Sequence, residues 1–467
     1  MAQTNEDRFG LPEVDHQLIE DIEDLVSKKE MGMVLNIVLD LHYADLAMLI
    51  ERLEKEEAQQ LFDWLPPNQR ADVLLELDYP LRTVLLDEME TSEIVEMVDE
   101  MDTDDAADVL SELSDELTEE VLTSLEDAEE VRGLLQFGED SAGRLMATEL
   151  VSAPQHWTVG EATEEVRRLA EEVEPIYLVY VLDDEGILQG LVTLKQLLLN
   201  PAQTTLKAIM ETEIISVQPE MDQEEAARIM EKYDLTVLPV VDANGKLIGR
   251  ITIDDVVDVI REEAEEDLQR LSGISFGDEE IGDSVLAVSR GRLPWLLFGL
   301  TGSLISAFVI GNFTAILEQV VILAMFIPVI GSTAGNVGVQ CAAIAVQGIA
   351  SGDIWASDIL KRLLKEISVA FINAIALAMV IGCVMLVLKL SGWGEMAGAD
   401  LLRLFETVGI SLLTCILMAA SIGSGAPLLL HRHGIDPAKA TGPFVTTSND
   451  IIGVMIYFSI AQFMYFR

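Results

Sequence analysis

Near the end of the chain the stretch TSNDIIGVMIYF, Thr447 to Phe458, sets one carboxylate, Asp450, in an apolar run; from Ala440 to Phe466 it is the only charged residue. An acid at bilayer depth is expensive and is by default a functional suspect, either as a cation ligand or as a proton acceptor. The blander role is a neutralised or salt-bridged packing residue. Thr446, one helical turn earlier, offers an oxygen on the same face. A second polar set lies in FIPVIGSTAGNVGVQ, Phe326 to Gln340, where Pro328, Gly331, Gly335 and Gly338 accompany Asn336 and Gln340. Such glycines either bring backbone carbonyls to a wet pathway or let helices pack closely. Glu406 is a rival acid, but Arg403 stands three residues before it, and an interfacial ion pair is the expectation.

These residues need membrane helices to hold them, and the charge distribution supplies the case. Residues 1–292 carry 21 Lys and Arg against 72 Asp and Glu, a net of −51, whereas residues 293–467 carry 8 against 9. The first part is an acidic, water-exposed body and the second reads as membrane. Uncharged or nearly uncharged runs at Leu293–Leu317, Gln319–Gly352, Ile367–Leu388, Thr407–Leu430 and Ala440–Phe466 give five spans. The second is too long for one straight crossing, so a bend or break is expected within it, at the glycine-rich stretch. Basic residues in the flanks, seven on the amino-terminal side of the membrane against three on the other, place the acidic body in the cytoplasm and the C-terminus outside. Cys341, Cys383 and Cys415 all lie in apolar segments, so no disulfide framework or zinc site is indicated. The polar, acidic N-terminus does not read as a cleaved signal. The acidity argues against nucleic acid and anionic lipid as partners and favours cations; a solvated surface suited to high salt explains the same charge equally well.

Within the acidic part, residues 1–140 alternate short helical patterns with turns. A weak echo, Ala44-Asp45-Leu46, Ala71-Asp72-Val73 and Ala107-Asp108-Val109, suggests stacked helix pairs in a small superhelix. A clearer duplication follows over residues 141–205 and 206–260. ELVSAPQHWTVGEATEEV is answered by EIISVQPEMDQEEAARIM, and YLVYVLDDEGILQGLVTLKQLL by LTVLPVVDANGKLIGRITIDDV. Each copy reads β-α-β-β-α with a glycine turn, Asp184-Glu185-Gly186 or Ala243-Asn244-Gly245. The pair resembles tandem cystathionine-β-synthase-type (CBS) domains. That resemblance implies a nucleotide site, for ATP or a relative, in one copy only: Thr252 and Asp255 match the ribose-holding Thr-x-x-Asp element, whereas the first copy has Thr193 and Gln196. Residues 261–292 form a charged, helix-patterned connector, and residues 293–467 the membrane part.

In this order, and with the motifs PVIGSTAGNVGVQ, GIDPAKATGPFV and TSNDIIGVMIYF, the chain resembles the MgtE-type magnesium channel family. It departs at Ala334-Gly335-Asn336, where the family usually shows Gly-Gly-Asn, and at Asn244, where relatives carry an acid. The resemblance implies a multidomain fold: an all-α superhelical N-domain, an α/β tandem CBS pair, a connector helix and a five-span α-helical pore. It implies a homodimer in the cell (inner) membrane, Mg2+ as the ion moved, Asp450 as pore ligand with Asn336, the Gly335 carbonyl and Thr446 beside it, and closure by cytosolic Mg2+. The sensing carboxylates it implies are Asp242, Asp254, Asp278, Asp283 and Asp436, with Asp102, Asp104 and Asp105 as further candidates. Two other readings stand: a proton- or sodium-coupled transporter of divalent cations, and a membrane-anchored CBS regulator or enzyme. Against the last, the sequence carries no Ser/His/Asp, Cys/His or phosphate-loop constellation.

Overall fold

The computed structural model describes residues 14, 16–170, 173, 175–272, 285–350, 359–393, 400–433, 437 and 442–465. It divides into two units, residues 1–263 and 264–467.

The first unit opens with ten short helices, α1 (His16–Ser27) through α10 (Ala128–Leu134). Helix α3 (Tyr43–Ile50) packs on α5 (Pro67–Glu76), α5 on α7 (Thr91–Val98), and α7 on α9 (Asp115–Leu122), so from α3 onward each odd helix rests on the next odd one, while α1 packs on α2 (Met31–Val38) and α4 (Lys55–Trp64). That is the superhelical stack the repeated Ala-Asp-apolar triplets suggest. Leu46, Val73 and Val109 from those triplets are buried, while Asp72 and Asp108 between them stay exposed. Each helix is too short to be stable alone, so burial of one apolar face holds the stack together.

The duplicated segment forms two like halves. In the first, β1 (Ser152–Pro154) pairs in parallel with β2 (Leu178–Leu182), which pairs antiparallel with β3 (Leu188–Thr193); helices α11 (Val159–Arg168), α12 (Leu194–Leu199) and α13 (Leu206–Ile209) accompany them. In the second, α14 (Gln223–Tyr233) precedes the antiparallel pair β4 (Val237–Val241) and β5 (Leu247–Thr252), and β1's counterpart is a single parallel bridge, Val217 to Val240. The two hairpin turns meet: Leu188 N–H donates to Gly245 O at 3.1 Å and Leu247 N–H to Gly186 O at 3.3 Å. Gly186 and Gly245 have φ of 82° and 83°, a region glycine enters without penalty. The apolar core is shared unevenly. Ile22 through Leu134 of the helical stack form one cluster with Val217, Met230, Leu238, Ile251 and Val256 of the second half, whereas the first half has its own core around Val179, Val181 and Val192.

Helix α15 (Ile253–Ser272) continues from the second half without a break at residue 260. In the second unit, α16 (Val285–Gly311), α17 (Thr314–Gln319), a 3-10 segment at Val321–Phe326, α18 (Ile327–Ala350), α19 (Ile359–Leu390), α20 (Leu401–Arg432) and α21 (Gly442–Tyr465) follow. Five of these helical stretches are long and apolar enough to cross a membrane. The first starts upstream of the expected Leu293, carries Pro294 inside it, and ends at Gly311 rather than Leu317. Helices α18, α20 and α21 pack on one another, α16 on α21 and α19 on α20.

The expected break in the second span is displaced. The stretch from Ile327 through Gln340 is regular helix, and the interruption lies before it, at Val320 and the 3-10 segment. The physical reason is partner availability. Tyr457 Oη on α21 donates to Leu323 O at 2.8 Å, so a carbonyl of the broken segment is satisfied, and the glycines are then free to serve helix packing.

Candidate functional site

Asp450 sits eight residues into α21, roughly 12 Å along its axis, which is well inside a ~30 Å hydrocarbon core. It is part-buried, and the element facing it is α18. A Cβ built on Gly331 would lie 3.7 Å from Asp450 Oδ1, and one on Gly335 would lie 3.9 Å from Thr446 Cγ2. Asp450 and Thr446 thus share a face, as their spacing of four requires, and Gly331 rather than Gly335 stands next to the carboxylate. The order, earlier glycine with later α21 residue, makes α18 and α21 antiparallel, in keeping with spans two and five of an alternating chain. Gly335 is buried within regular helix, so its carbonyl belongs to the helical ladder; Asn336 and Thr446 are exposed on this chain.

The glycines earn their place by contact. A Cβ on Gly338 would meet Asn449 Nδ2 at 2.3 Å and Val445 Cγ1 at 2.7 Å, one on Gly423 would meet Gly338 O at 2.3 Å, and one on Gly302 would meet Thr447 Cγ2 at 2.0 Å. Small residues therefore bring α16, α18, α20 and α21 together around the segment that carries Asp450. Asn449, Gly302 and Gly423 were not singled out from the sequence; only small-residue spacing hinted at them. The Arg403–Glu406 pair does not form. Arg403 Nε donates to Met464 O at 2.8 Å, Nη2 bonds the same carbonyl, and the guanidinium lies over the Tyr465 ring, so it caps the end of α21 and leaves Glu406 exposed.

The cytosolic candidates separate into three groups. Asp242 is engaged by its own turn: Oδ1 accepts from Asn244 N at 2.8 Å and Lys246 N at 2.9 Å. Those bonds, the Lys246 N–H foremost, hold its carboxyl below the usual range. Asp254 is exposed at the first turn of α15. Asp278, Asp283 and Asp436 lie outside the described residues. Thr252 and Asp255 meet each other: the Thr252 hydroxyl and N–H both donate to Asp255 Oδ2, which is the reach-back contact of a helix cap. Thr193 and Gln196 do the same in the first half, with Thr193 N donating to Gln196 Oε1 at 2.7 Å.

The strongest electrostatic feature joins α8 (Thr103–Ser111) to the start of α15. Asp104 is 8% exposed, and burial, then the carboxylates of Asp105, Asp255 and Asp102, push its carboxyl well above the usual range. Asp105 and Asp255 are raised by burial first and by neighbouring acids after it. Asp102 is pushed up to about 6 by burial and Glu149, with Arg250 opposing. Cations are scarce here: Arg250 lies 3.8 Å from Asp102, and Arg144 lies 3.1 Å from Asp108. Polar ties fix the same seam, with Thr103 N and Oγ1 donating to Glu149 at 3.2 and 3.0 Å. Among the described residues no three His, Cys, Asp or Glu side chains gather closely enough to hold a metal ion.

Residues 327–460 match the family model for the MgtE divalent cation transporter, 41–140 that for the MgtE intracellular N domain, and 142–202 and 206–262 that for the CBS domain. The chain is 35% identical over 334 residues to the magnesium transporter MgtE of Thermus thermophilus, 71% of each chain, and 35% identical over 329 residues to that of Enterococcus faecalis, 70% of each. A solved cytosolic domain of the Mg2+ channel MgtE in complex with ATP matches with a TM-score of 0.50 at 32% identity, covering 52% of this chain and 99% of that one. With that length of common sequence and the order of its domains, the chain belongs to the MgtE family of divalent cation transporters.

Proposed function

We propose that the chain conducts Mg2+ across the cell (inner) membrane, with Asp450 as the pore ligand, and that cytosolic Mg2+ closes the pathway. The observation that carries this is Asp450 itself: one part-buried acid deep in the last membrane helix, beside a glycine that leaves its oxygen open. The relatives named above are magnesium transporters, which supports the same ion. One carboxylate offsets half the charge of a divalent ion, so a second copy contributes the other Asp450 in a homodimer. Mg2+ dehydrates reluctantly and keeps several waters. Thr446 and Asn336 then serve as neutral contacts to those waters, with Gly335 making space.

Closure is assigned to the cytosolic acids. Hard carboxylate oxygens suit Mg2+, and the desolvated set Asp102, Asp104, Asp105 and Asp255 repel one another until a cation is present. These, with Asp254, Asp278, Asp283, Asp436 and more weakly Asp242, are the residues that would hold the regulatory ion. A nucleotide fits less well. Thr252 and Asp255 satisfy each other and Asp255 belongs to an acidic set, while the relative's cytosolic domain solved in complex with ATP supports ATP or a related nucleotide as a second ligand of the CBS pair. The N-terminal domains are cytoplasmic and the C-terminus outside.

Mg2+ influx into liposomes holding the purified chain tests the reading. A conducting pore fills them down a Mg2+ gradient alone, and the rate falls as Mg2+ on the cytosolic face rises. Influx that requires an imposed proton or sodium gradient would favour the coupled transporter instead.

A further inference from the structure

Asn449 is 0% exposed, an uncommon place for an amide in a membrane helix. Its Nδ2 donates, at a long 3.5 Å, to Ala334 O on α18, and its Oδ1 is buried with no hydrogen-bond partner among the described residues. An orphaned acceptor costs free energy that an apolar side chain of equal volume would not, so packing alone does not explain an amide here. The shape around it is specific. Nδ2 occupies the place where any side chain at 338 would begin, 2.3 Å from a Cβ there, and Val445 Cγ1 fills the same notch at 2.7 Å. From the other side Gly423 makes room for Gly338 O. At this level α18 lies between α20 and α21, with close approaches on both sides.

Asp450 is the next residue along α21, and it faces Gly331, two turns away on α18. We infer that Asn449 is a positioning residue: its amide keys α21 into the Gly338 notch and so fixes where the Asp450 carboxylate stands. The inference rests on the pore reading of Asp450. Asn449 does not touch the ion; it acts through the residue beside it.

The test uses the full chain in liposomes, with initial Mg2+ influx measured against Mg2+ concentration for Asn449→Leu, Asn449→Ala, Gly338→Ala and the double variant Gly338→Ala/Asn449→Ala. Leucine is close in volume and restores the filling without the donor. If Asn449 positions the ligand, Asn449→Leu raises the KM for Mg2+ about tenfold, with the maximal rate per folded protein changed less than about twofold. Gly338→Ala moves KM the same way, and the double variant is milder than Gly338→Ala alone because the added methyl takes the space the amide leaves. It stays short of wild type, since Val445 still crowds position 338. A merely structural role would lower the yield of folded protein and the maximal rate with KM unmoved, and that result overturns the inference. Asp450→Asn, run alongside, separates the two layers. Wild-type transport in it removes the pore reading and this inference together, whereas a dead Asp450→Asn beside an Asn449→Leu of wild-type KM removes the positioning role alone.

Discussion

At the seam of α8 and α15, Asp102, Asp104, Asp105 and Asp255 share one desolvated space and raise each other's proton affinity, whereas among the membrane helices Asp450 stands alone against a glycine. The first arrangement is held under electrostatic tension within a single chain, with no three of its carboxylates close enough to hold an ion as they stand. The second has no charged neighbour among the described residues, and on the proposed reading what completes it is cargo or a second copy. On the function proposed above, the carboxylate cluster would report how much cation is present and the lone carboxylate would let one pass.

The largest effect should come from confusing those two roles. Asp450→Ala is expected to lower Mg2+ influx by about 100-fold or more, because electrostatic stabilisation of an ion at low dielectric has no substitute there. Asp102→Asn should leave the open-state rate near wild type and alter only the Mg2+ dependence of closure. Equal loss in both variants, in the same liposome assay, would break the division between pathway and sensor.

The membrane half can be divided further by its glycines. At Gly423 a methyl would meet the Gly338 carbonyl at 2.3 Å, and backbone cannot step aside. Gly423→Ala is therefore expected to destabilise the protein by about 1–3 kcal/mol, read as an earlier thermal unfolding transition in detergent. Gly331→Ala meets only ordinary contact at 3.7 Å from Asp450 Oδ1, so its unfolding transition should be unchanged while its influx falls, the methyl standing where a water of the ion would stand. A Gly331→Ala protein with normal influx would show that the ion does not approach that oxygen.

How far the sequence carried these distinctions depends on range. Period and punctuation are local, so the duplicated halves, the turns at Gly186 and Gly245 and five apolar helices were all legible. Contacts between distant segments were not. Glycine and proline in FIPVIGSTAGNVGVQ signal either a break or a packing face, and only the presence of Asn449, Val445 and Gly423 opposite them decides for packing. Thr252 and Asp255 read as a ribose site by pattern, and the same spacing is that of a helix cap, which is the contact they make here, so pattern alone does not separate the two roles. Asp104 gives no local sign of burial, and Asp255, one of the acids that raise its proton affinity, comes from a distant segment. The shared core also changes an obvious experiment: deleting residues 1–140 would strip Leu238, Ile251 and Val256 of their cover, so point variants separate sensing from folding more cleanly than truncation.

A moderate effect is expected from pH. For Asp102, Asp104, Asp105 and Asp255 the folded-state proton affinity is raised, so what they add to the seam is fully present below the ordinary carboxylate pKa of about 4 and is lost as pH rises through about 6 for Asp102 and Asp255 and about 8 for Asp105. Protons and Mg2+ therefore act as alternatives. Hydrogen-exchange protection of α8 should gain little from Mg2+ at pH 5.5 and much more at pH 8. The same gain at both values would mean that these acids are not where Mg2+ acts.

The smallest effect is expected at Asp242, and the duplication supplies its control. Asp183 holds the matching position in the first half, and its Oδ1 accepts from Glu185 N and Ile187 N at 3.0 Å each, as Asp242 Oδ1 accepts from Asn244 and Lys246. Two halves that build the same turn with the same residue need no sensing role to explain it. Asparagine makes this turn nearly as well as aspartate, whereas alanine leaves two backbone N–H groups without their acceptor. Because the folded Asp242 carboxyl is held low, its contribution is present above the usual carboxylate pKa of about 4 and fades as pH falls through the lowered value, so neutral-pH assays see it whole. Asp242→Asn should then leave thermal unfolding unchanged and shift the Mg2+ concentration of half-closure by less than about twofold, a charge at an exposed site being largely screened. Asp242→Ala and Asp183→Ala should each lower the unfolding midpoint by similar amounts. If Asp242→Asn moves half-closure several-fold while Asp183→Asn does nothing, the carboxylate at 242 reads Mg2+ after all, and the likeness of the two turns is one of shape only.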